Sequence, residues 1–362
     1  MKRLKTALVG TGKVSHLHAA ALATLPESEF VAVCGRPGAG LDAFSERYRV
    51  QAFTDVGEMI AKAGVQALII CTPHPAHAAP TVAAARAGVH VLIEKPLAST
   101  LADCDAMMAA AAAGGATLGV VSQRRYYPAC RRIRDALVAG RLGPPVLGFA
   151  TILGWRDEAY YRSNPWRGTW GGEGGGVLVN QSPHQLDLLL WYMGDVEEVF
   201  GYWANLNHPT IEVDDTAVAV VRFRNGGLGN IMVSNSQNPG INARVSVHGA
   251  NGASAGVQTD GGAMFIPGMT KIADSAFNDL WTIPGEERMP ALWKEEDAAL
   301  FASVNPMEHF HRLQIEDFLR AVIAGRPPAV TAADGRRVVE LFTAIYRATR
   351  DGRPVRFPVP AQ

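Results

Sequence analysis

The residues Thr6-Ala7-Leu8-Val9-Gly10-Thr11-Gly12-Lys13-Val14-Ser15 decide the fold of this chain. A short apolar strand runs into Gly-x-Gly-x-x-Ser, and a helix over 16–25 follows. Gly10 permits the tight turn, and Gly12 lets the backbone approach a pyrophosphate. The small Ser15 permits close helix–strand packing, and the helix N-terminus offers N–H groups and a positive dipole end to the phosphates. The Gly-x-Gly triplet alone is weak, but its place after a strand and before a helix is the context that gives it meaning. Gly10, Gly12, Lys13 and Val14 are therefore expected to line a dinucleotide.

Working outward, strands at 30–34, 67–71, 89–93 and 117–121 alternate with helices at 42–48, 56–63, 77–87 and 101–113. That β-α-β alternation predicts a doubly wound parallel sheet, whose ligands sit beyond the carboxyl ends of its strands. Gly10, Arg36, Thr72-Pro73 and Glu94-Lys95-Pro96 all fall at such ends. An Asp or Glu after the second strand would hold an unphosphorylated ribose. This chain has Gly35-Arg36 instead, which leans toward NADP over NAD, with adenine stacking by Arg36 as the alternative. Lys95, directly after an apolar strand, is expected to be partly desolvated and to lose its proton more readily than in water. A surface salt bridge with Glu94 is the plainer reading of the same lysine.

Composition bounds the rest. The 362 residues exceed what one core usually serves, so a dinucleotide-binding domain over 1–125 and an α/β domain over 126–362 are expected. Lys+Arg and Asp+Glu are balanced at 34 each, so no overall field points to nucleic acid or an anionic membrane. Cys34, Cys71, Cys104 and Cys130 lack the spacing of a zinc site and read as reduced thiols. The run Leu4–Val9 is too short for a signal-peptide core, and no span reaches transmembrane length, so a soluble cytoplasmic protein is expected.

Beyond residue 126 a helix is expected at 133–139. The period then turns to two, with strands at 146–153, 196–204, 214–223, 227–234 and 243–248. Residues 249–262 are open between strand and loop, and 279–287 reads as a short strand and turn. Helices at 307–324 and 332–350 close the chain. One face of this mostly antiparallel sheet is expected to be covered by helices. The other would invite self-association into a homodimer or homotetramer. Between the first two of these strands, Gly171–Gly194 contains a glycine cluster and then Asn180, His184, Asp187 and Trp191 at helical spacing. Leu186, Leu189, Leu190 and Met193 fall opposite them. Pro183 requires the helix either to start at Ser182 or to kink there. His309 and His311 read as structural.

These motifs resemble the Gfo/Idh/MocA oxidoreductases, the family of glucose–fructose oxidoreductase and the inositol dehydrogenases. The likeness covers essentially the whole chain. It rests on Gly10-x-Gly12-x-x-Ser15, Thr72-Pro73 with His77, Glu94-Lys95-Pro96-Leu97, Trp166-Arg167-Gly168, and the run from Gly174 through Asn180 and His184 to Asp187. The resemblance implies an N-terminal Rossmann domain and a C-terminal α/β domain whose open sheet builds dimers or tetramers. It places Lys95 beside the nicotinamide and the substrate hydroxyl, makes His184 the acid/base, and sets Trp166 and Arg167 against cofactor and substrate. Many members carry Asp where this chain has Asn180. An amide takes no proton, so here Asn180 can only orient substrate or His184. No metal is called for.

The activity this implies is NAD(P)-dependent hydride transfer at a secondary hydroxyl of a sugar, sugar derivative or cyclitol. The alternatives are a redox-neutral lyase, glycosidase or decarboxylase that retains its cofactor, and, more remotely, a cofactor-sensing regulator.

Overall fold

The computed structural model describes residues 2–261 and 275–361. In chain order the first elements are β1 (Leu4–Val9), α1 (Lys13–Thr24), β2 (Ser28–Cys34), α2 (Ala39–Tyr48), β3 (Gln51–Phe53) and α3 (Val56–Ala63). They continue with β4 (Ala67–Ile70), α4 (Ala78–Arg86), β5 (His90–Ile93), α5 (Leu101–Gly114) and β6 (Leu118–Val120). The six strands form one parallel sheet in the order β3-β2-β1-β4-β5-β6. The order reverses between β1 and β4, so the loops after these strands open at the sheet's switch point.

Two compact units divide the chain. The first runs to Gln123 and also takes in Met307–Arg336; the second comprises Arg124–Pro306 and Arg337–Ala361. The sequence reading leaves 307–336 with the second domain. Its packing explains the grouping: Ile315, Phe318 and Leu319 are buried in one cluster with Leu22, Ile69 and Leu92. Gly119 in β6 is bare because a Cβ there would come within 3.2 Å of the Phe318 ring.

The second unit contains α6 (Pro128–Val138), β7 (Pro145–Leu153), α7 (Glu158–Arg162), α8 (Trp170–Glu173), α9 (Val177–Asn180) and α10 (Pro183–Met193). Strands β8 (Val196–Ala204), β9 (Thr216–Phe223), β10 (Leu228–Ser234), β11 (Asn242–Gly249), β12 (Ser254–Asp260) and β13 (Phe277–Trp281) follow, then helix α11 (Met289–Ser303). The chain ends with α12 (Pro306–Ala324), α13 (Ala332–Asp351) and β14 (Val355–Arg356). The eight-stranded sheet has the order β13-β12-β11-β7-β10-β9-β8-β14 and is antiparallel except where β10 runs parallel to β7. The expected strands are all present. β12 resolves the open stretch as strand, except that Gly262 lies outside the described residues. Helix α11 was not foreseen.

One face of this sheet carries α10. Gly148 in β7 leaves room for it, since a Cβ would meet Met193 at 2.6 Å. On β8, β9 and β10, Tyr202, Val218 and Met232 are direct cross-strand partners and are exposed, as are Val220 and Leu228. The alternation in β9, with Ala217, Ala219 and Val221 buried between exposed residues, is the signature of a sheet packed on one side only.

Candidate active site

In the first unit, Gly10 adopts φ +108°, and a Cβ there would lie 2.8 Å from the Cys71 carbonyl oxygen. Only glycine satisfies both the left-handed turn and the close strand contact. Gly12 is the N-cap of α1, and a Cβ there would meet nothing within 4 Å. The backbone at Gly12 therefore faces open space, with Lys13 exposed beside it. Arg36 is exposed at the end of β2. These residues fit the pyrophosphate and ribose ends of a dinucleotide, which no residue of the loop obstructs.

Thr72-Pro73 and Lys95-Pro96 follow the adjacent strands β4 and β5, and His77 ties them together. Its ring is fully buried. Nδ1 lies 3.0 Å from Pro96 O and Nε2 lies 2.9 Å from Thr72 O. Burial pushes the His77 pKa down against the pull of these carbonyls. Its nitrogens are thus used on the two turns.

Glu94 is likewise turned inward. Its Oε2 accepts the Lys95 backbone N–H at 3.0 Å, and its Oε1 lies 2.7 Å from His18 Nε2 and 3.9 Å from His311 Nε2. Burial alone would raise this carboxyl. The hydrogen bond and charge of His18, with His311 and Lys95 behind it, instead hold it down at about 2. Burial would also lower His18, yet Cys71 and Glu94 raise it to about 10. Burial pushes the Cys71 thiol up, against the pull of the His18 charge and hydrogen bond. His311, buried and beside the His18 cation, falls to about 4. The ligand atoms of His18, Glu94 and His311 lie within 4.8 Å of one another. Two ligands of one zinc sit about 3.3 Å apart, so the 2.7 Å contact is that of a hydrogen-bonded ion pair. Lys95 itself is partly exposed. Glu94 thus pairs with His18, with the Lys95 charge also acting on it.

In the second unit, the glycine-rich stretch is not a slack hinge. Gly176 lies so close to Asp214 that a Cβ would fall 1.8 Å from its carbonyl oxygen. The Asp214 carboxylate accepts the Gly176 and Leu178 N–H groups at 2.7 and 3.0 Å and the Tyr346 hydroxyl at 2.6 Å. Asp214 thereby caps α9, and the glycines serve a backbone contact. Of the two outcomes that Pro183 leaves open, the structure shows the start: Ser182 is the N-cap and Pro183 the first residue of α10, so Asn180 ends α9 while His184 lies in the first turn of α10. Asn180 and His184 therefore do not share one helical face as their spacing suggests. Helix α10 is buried nearly all round, His184 and Asp187 included. Asp187 accepts from Arg125 Nε at 2.7 Å, and the Arg125 guanidinium lies 5.1 Å from the Trp191 ring, which anchors the helix.

Around Asn180 the structure assembles residues that the spacing could not. Asn180 Nδ2 donates to Glu173 Oε1 and to Tyr160 Oη, the latter at 3.0 Å. Gln181 Nε2 and Arg167 Nη1 donate to the same phenol oxygen. Glu173 also accepts the Gly168 N–H at 2.6 Å. Burial raises the Glu173 pKa against these donors. Two hydrogen bonds from its amide nitrogen thus hold Asn180 against Glu173 and Tyr160. Arg167 stacks between Tyr160 and Trp166, its guanidinium 4.2 and 4.4 Å from the two rings. Glu173 was missed in the sequence. Its only signal was a single carboxylate inside a glycine run.

A six-stranded parallel sheet with a glycine turn at its switch point, joined in one chain to a largely antiparallel α/β unit, is the architecture of a dinucleotide-binding protein. Residues 4–122 match the oxidoreductase family with the NAD-binding Rossmann fold, and residues 130–254 match the GFO/IDH/MocA C-terminal domain. The chain belongs to the GFO/IDH/MocA family and is an NAD(P)-dependent dehydrogenase. It is similar to myo-inositol 2-dehydrogenase of Thermotoga maritima, 25% identical over 363 residues and covering 98% of each chain. It is also similar to the NAD(+)-dependent scyllo-inositol 2-dehydrogenase of Bacillus subtilis, 23% identical over 99% of this chain and 97% of that one. The WlbA dehydrogenase of Bordetella pertussis, solved in complex with NADH and UDP-GlcNAcA, superposes with a TM-score of 0.86 at 27% identity, covering 99% of both chains. Among the described residues, no helix is long and apolar enough to cross a membrane.

Proposed function

We propose that this protein oxidises a secondary hydroxyl of a sugar, sugar derivative or cyclitol, or reduces the matching ketone, with nicotinamide as hydride partner. The observation that carries this reading is the open Gly10–Gly12 turn beside the strand ends that bear Thr72 and Lys95. Similarity to inositol and nucleotide-sugar dehydrogenases supports the substrate class. The bound cofactor supplies the hydride acceptor. Gly10, Gly12, Lys13, Val14, Arg36, Thr72 and Pro73 would hold it, with Trp166 and Arg167 against its reactive end. The exposed Arg36 favours the 2′-phosphate of NADP. His77 and Glu94 would serve the cofactor through the turns they brace.

In this reading His184 takes the hydroxyl proton, the Lys95 ammonium stabilises the developing alkoxide, and Asn180 orients the substrate or His184 by hydrogen bonding. Replacing Lys95 with Ala should cut nicotinamide reduction by about 100-fold or more while cofactor binding persists. Turnover at the native rate would overturn the assignment.

The exposed apolar row across β8, β9 and β10 supports a second proposal, that copies of the chain pair through this sheet face into a dimer or tetramer.

A further inference from the structure

Arg156 and Arg167 both pack on one aromatic ring. Their guanidinium carbons lie 5.2 and 4.2 Å from the centroid of Tyr160, and Arg156 is only 4% exposed. Two cations so close and so poorly hydrated normally bring carboxylates with them. Here the counter-charge is thin. Arg156 spends Nη1 on the Trp155 carbonyl at 2.8 Å, and its Nε is buried without a partner. Arg167 gives Nη1 to the Tyr160 oxygen, and its Nε is likewise buried and unpartnered. Among the described residues, the carboxylate it reaches is Glu173, at 4.0 Å, and that group also accepts from Gly168 and Asn180 and is pushed toward its neutral form by burial. Burial lowers the Arg156 pKa, and the Arg167 charge adds to that.

Acceptors and hydroxyls gather on the adjoining strand end. The Arg156 N–H donates to Asn235 O, and Trp155 bridges Ser236. Asn235 Oδ1, Ser236 Oγ and Gln237 Oε1 are buried with no hydrogen-bond partner. A run of unmet polar atoms beside two under-compensated cations matches a ligand that carries both hydroxyls and a negative charge.

We propose that Arg156 and Arg167 form an anion subsite, so that the substrate is a polyol bearing a carboxylate or a phosphate. Asn235, Ser236 and Gln237 then receive its hydroxyls. The inference rests on the dehydrogenase reading for turnover but not for binding, and the test separates the two.

Wild type and the variants R156Q, R167Q and R156K are compared on three ligands of one ring type: a hexuronate, the hexose 6-phosphate and the neutral hexose. Nicotinamide reduction and ligand-induced shifts in melting temperature are both recorded. An anionic ligand should be preferred over the neutral one by about tenfold or more in kcat/KM. Which of the two wins identifies the anion. R156Q should erase that preference through KM while R156K keeps part of it, and R167Q should lose the preference on top of any general loss from its place beside the cofactor. Equal use of the neutral hexose by wild type, or an equal loss on all three ligands in R156Q, would overturn the subsite. If no ligand is turned over but an anion still raises the melting temperature of wild type and not of R156Q, the subsite stands and the dehydrogenase reading fails.

Discussion

His18 Nε2 lies 2.7 Å from Glu94 Oε1, which joins the helix behind the glycine turn to the strand end that carries Lys95. The bond pairs a buried cation with a buried anion, and the same carboxylate fixes the Lys95 backbone through its N–H.

This pair predicts a specific pH dependence of stability. His18 is raised from 6.5 to about 10, so its contribution is complete below pH 6.5 and is lost as pH climbs through about 10. Glu94 is lowered from 4.5 to about 2, so its contribution is present above pH 4.5 and is lost as pH falls through about 2. Replacing His18 with Gln should cost about 3–5 kcal/mol near pH 6, because it strands a buried carboxylate. Urea midpoints of wild type and variant should converge as pH rises toward 10. A gap that stays constant over that range would refute the pairing.

Asn180 and Glu173 give a second test. Asn180→Asp places a second carboxylate against a buried one whose pKa is already raised. The two must then share a proton, and stability should fall as pH rises through their raised pKa. A loss of about 1–3 kcal/mol at pH 8 that shrinks toward pH 5 is expected from denaturation curves. A variant as stable as wild type at both pH values would show that the amide proton bonds do not matter.

Arg36 bears on cofactor choice. Arg36→Ala should raise KM for NADP by about tenfold or more and leave KM for NAD little changed, because only the former loses a charged contact. Equal effects on both cofactors would assign Arg36 to the adenine instead.

The sheet face is tested by charge. Val220→Glu on the exposed row should leave the fold intact and lower the mass measured by light scattering, since a like charge would face itself across a two-fold interface. An unchanged mass would place any interface elsewhere.

Much of this was legible in the residues. Strands ending at Val9, Cys34, Ile70 and Ile93 announce themselves by apolar runs closed by glycine, cysteine or charge, and the parallel sheet follows from their alternation with helices. What stayed hidden depends on tertiary contact. Helix α11 buries little beyond Asp297 and Phe301, so its apolar period was too faint to read. Asn180 and His184 keep helical spacing across a break at Ser182, one of the two outcomes that Pro183 leaves open in the sequence. His18, Glu94 and His311 are far apart in the chain, and no local pattern joins them. Trp155-Arg156 and Tyr160-Tyr161 are readable as plausible substrate contacts but without direction, and Glu173 acquires meaning only through Asn180.

The central claim is net hydride transfer assisted by Lys95 and His184. The most direct measurement follows nicotinamide absorbance and product formation together, for wild type, Lys95→Ala and His184→Ala, over a panel of sugars, cyclitols and their acids. The account predicts one nicotinamide reduced per hydroxyl oxidised in wild type and a loss of about 100-fold or more in each variant with cofactor still bound. Product formed by wild type with no net change in nicotinamide would contradict it, and would point to redox-neutral chemistry on the same fold.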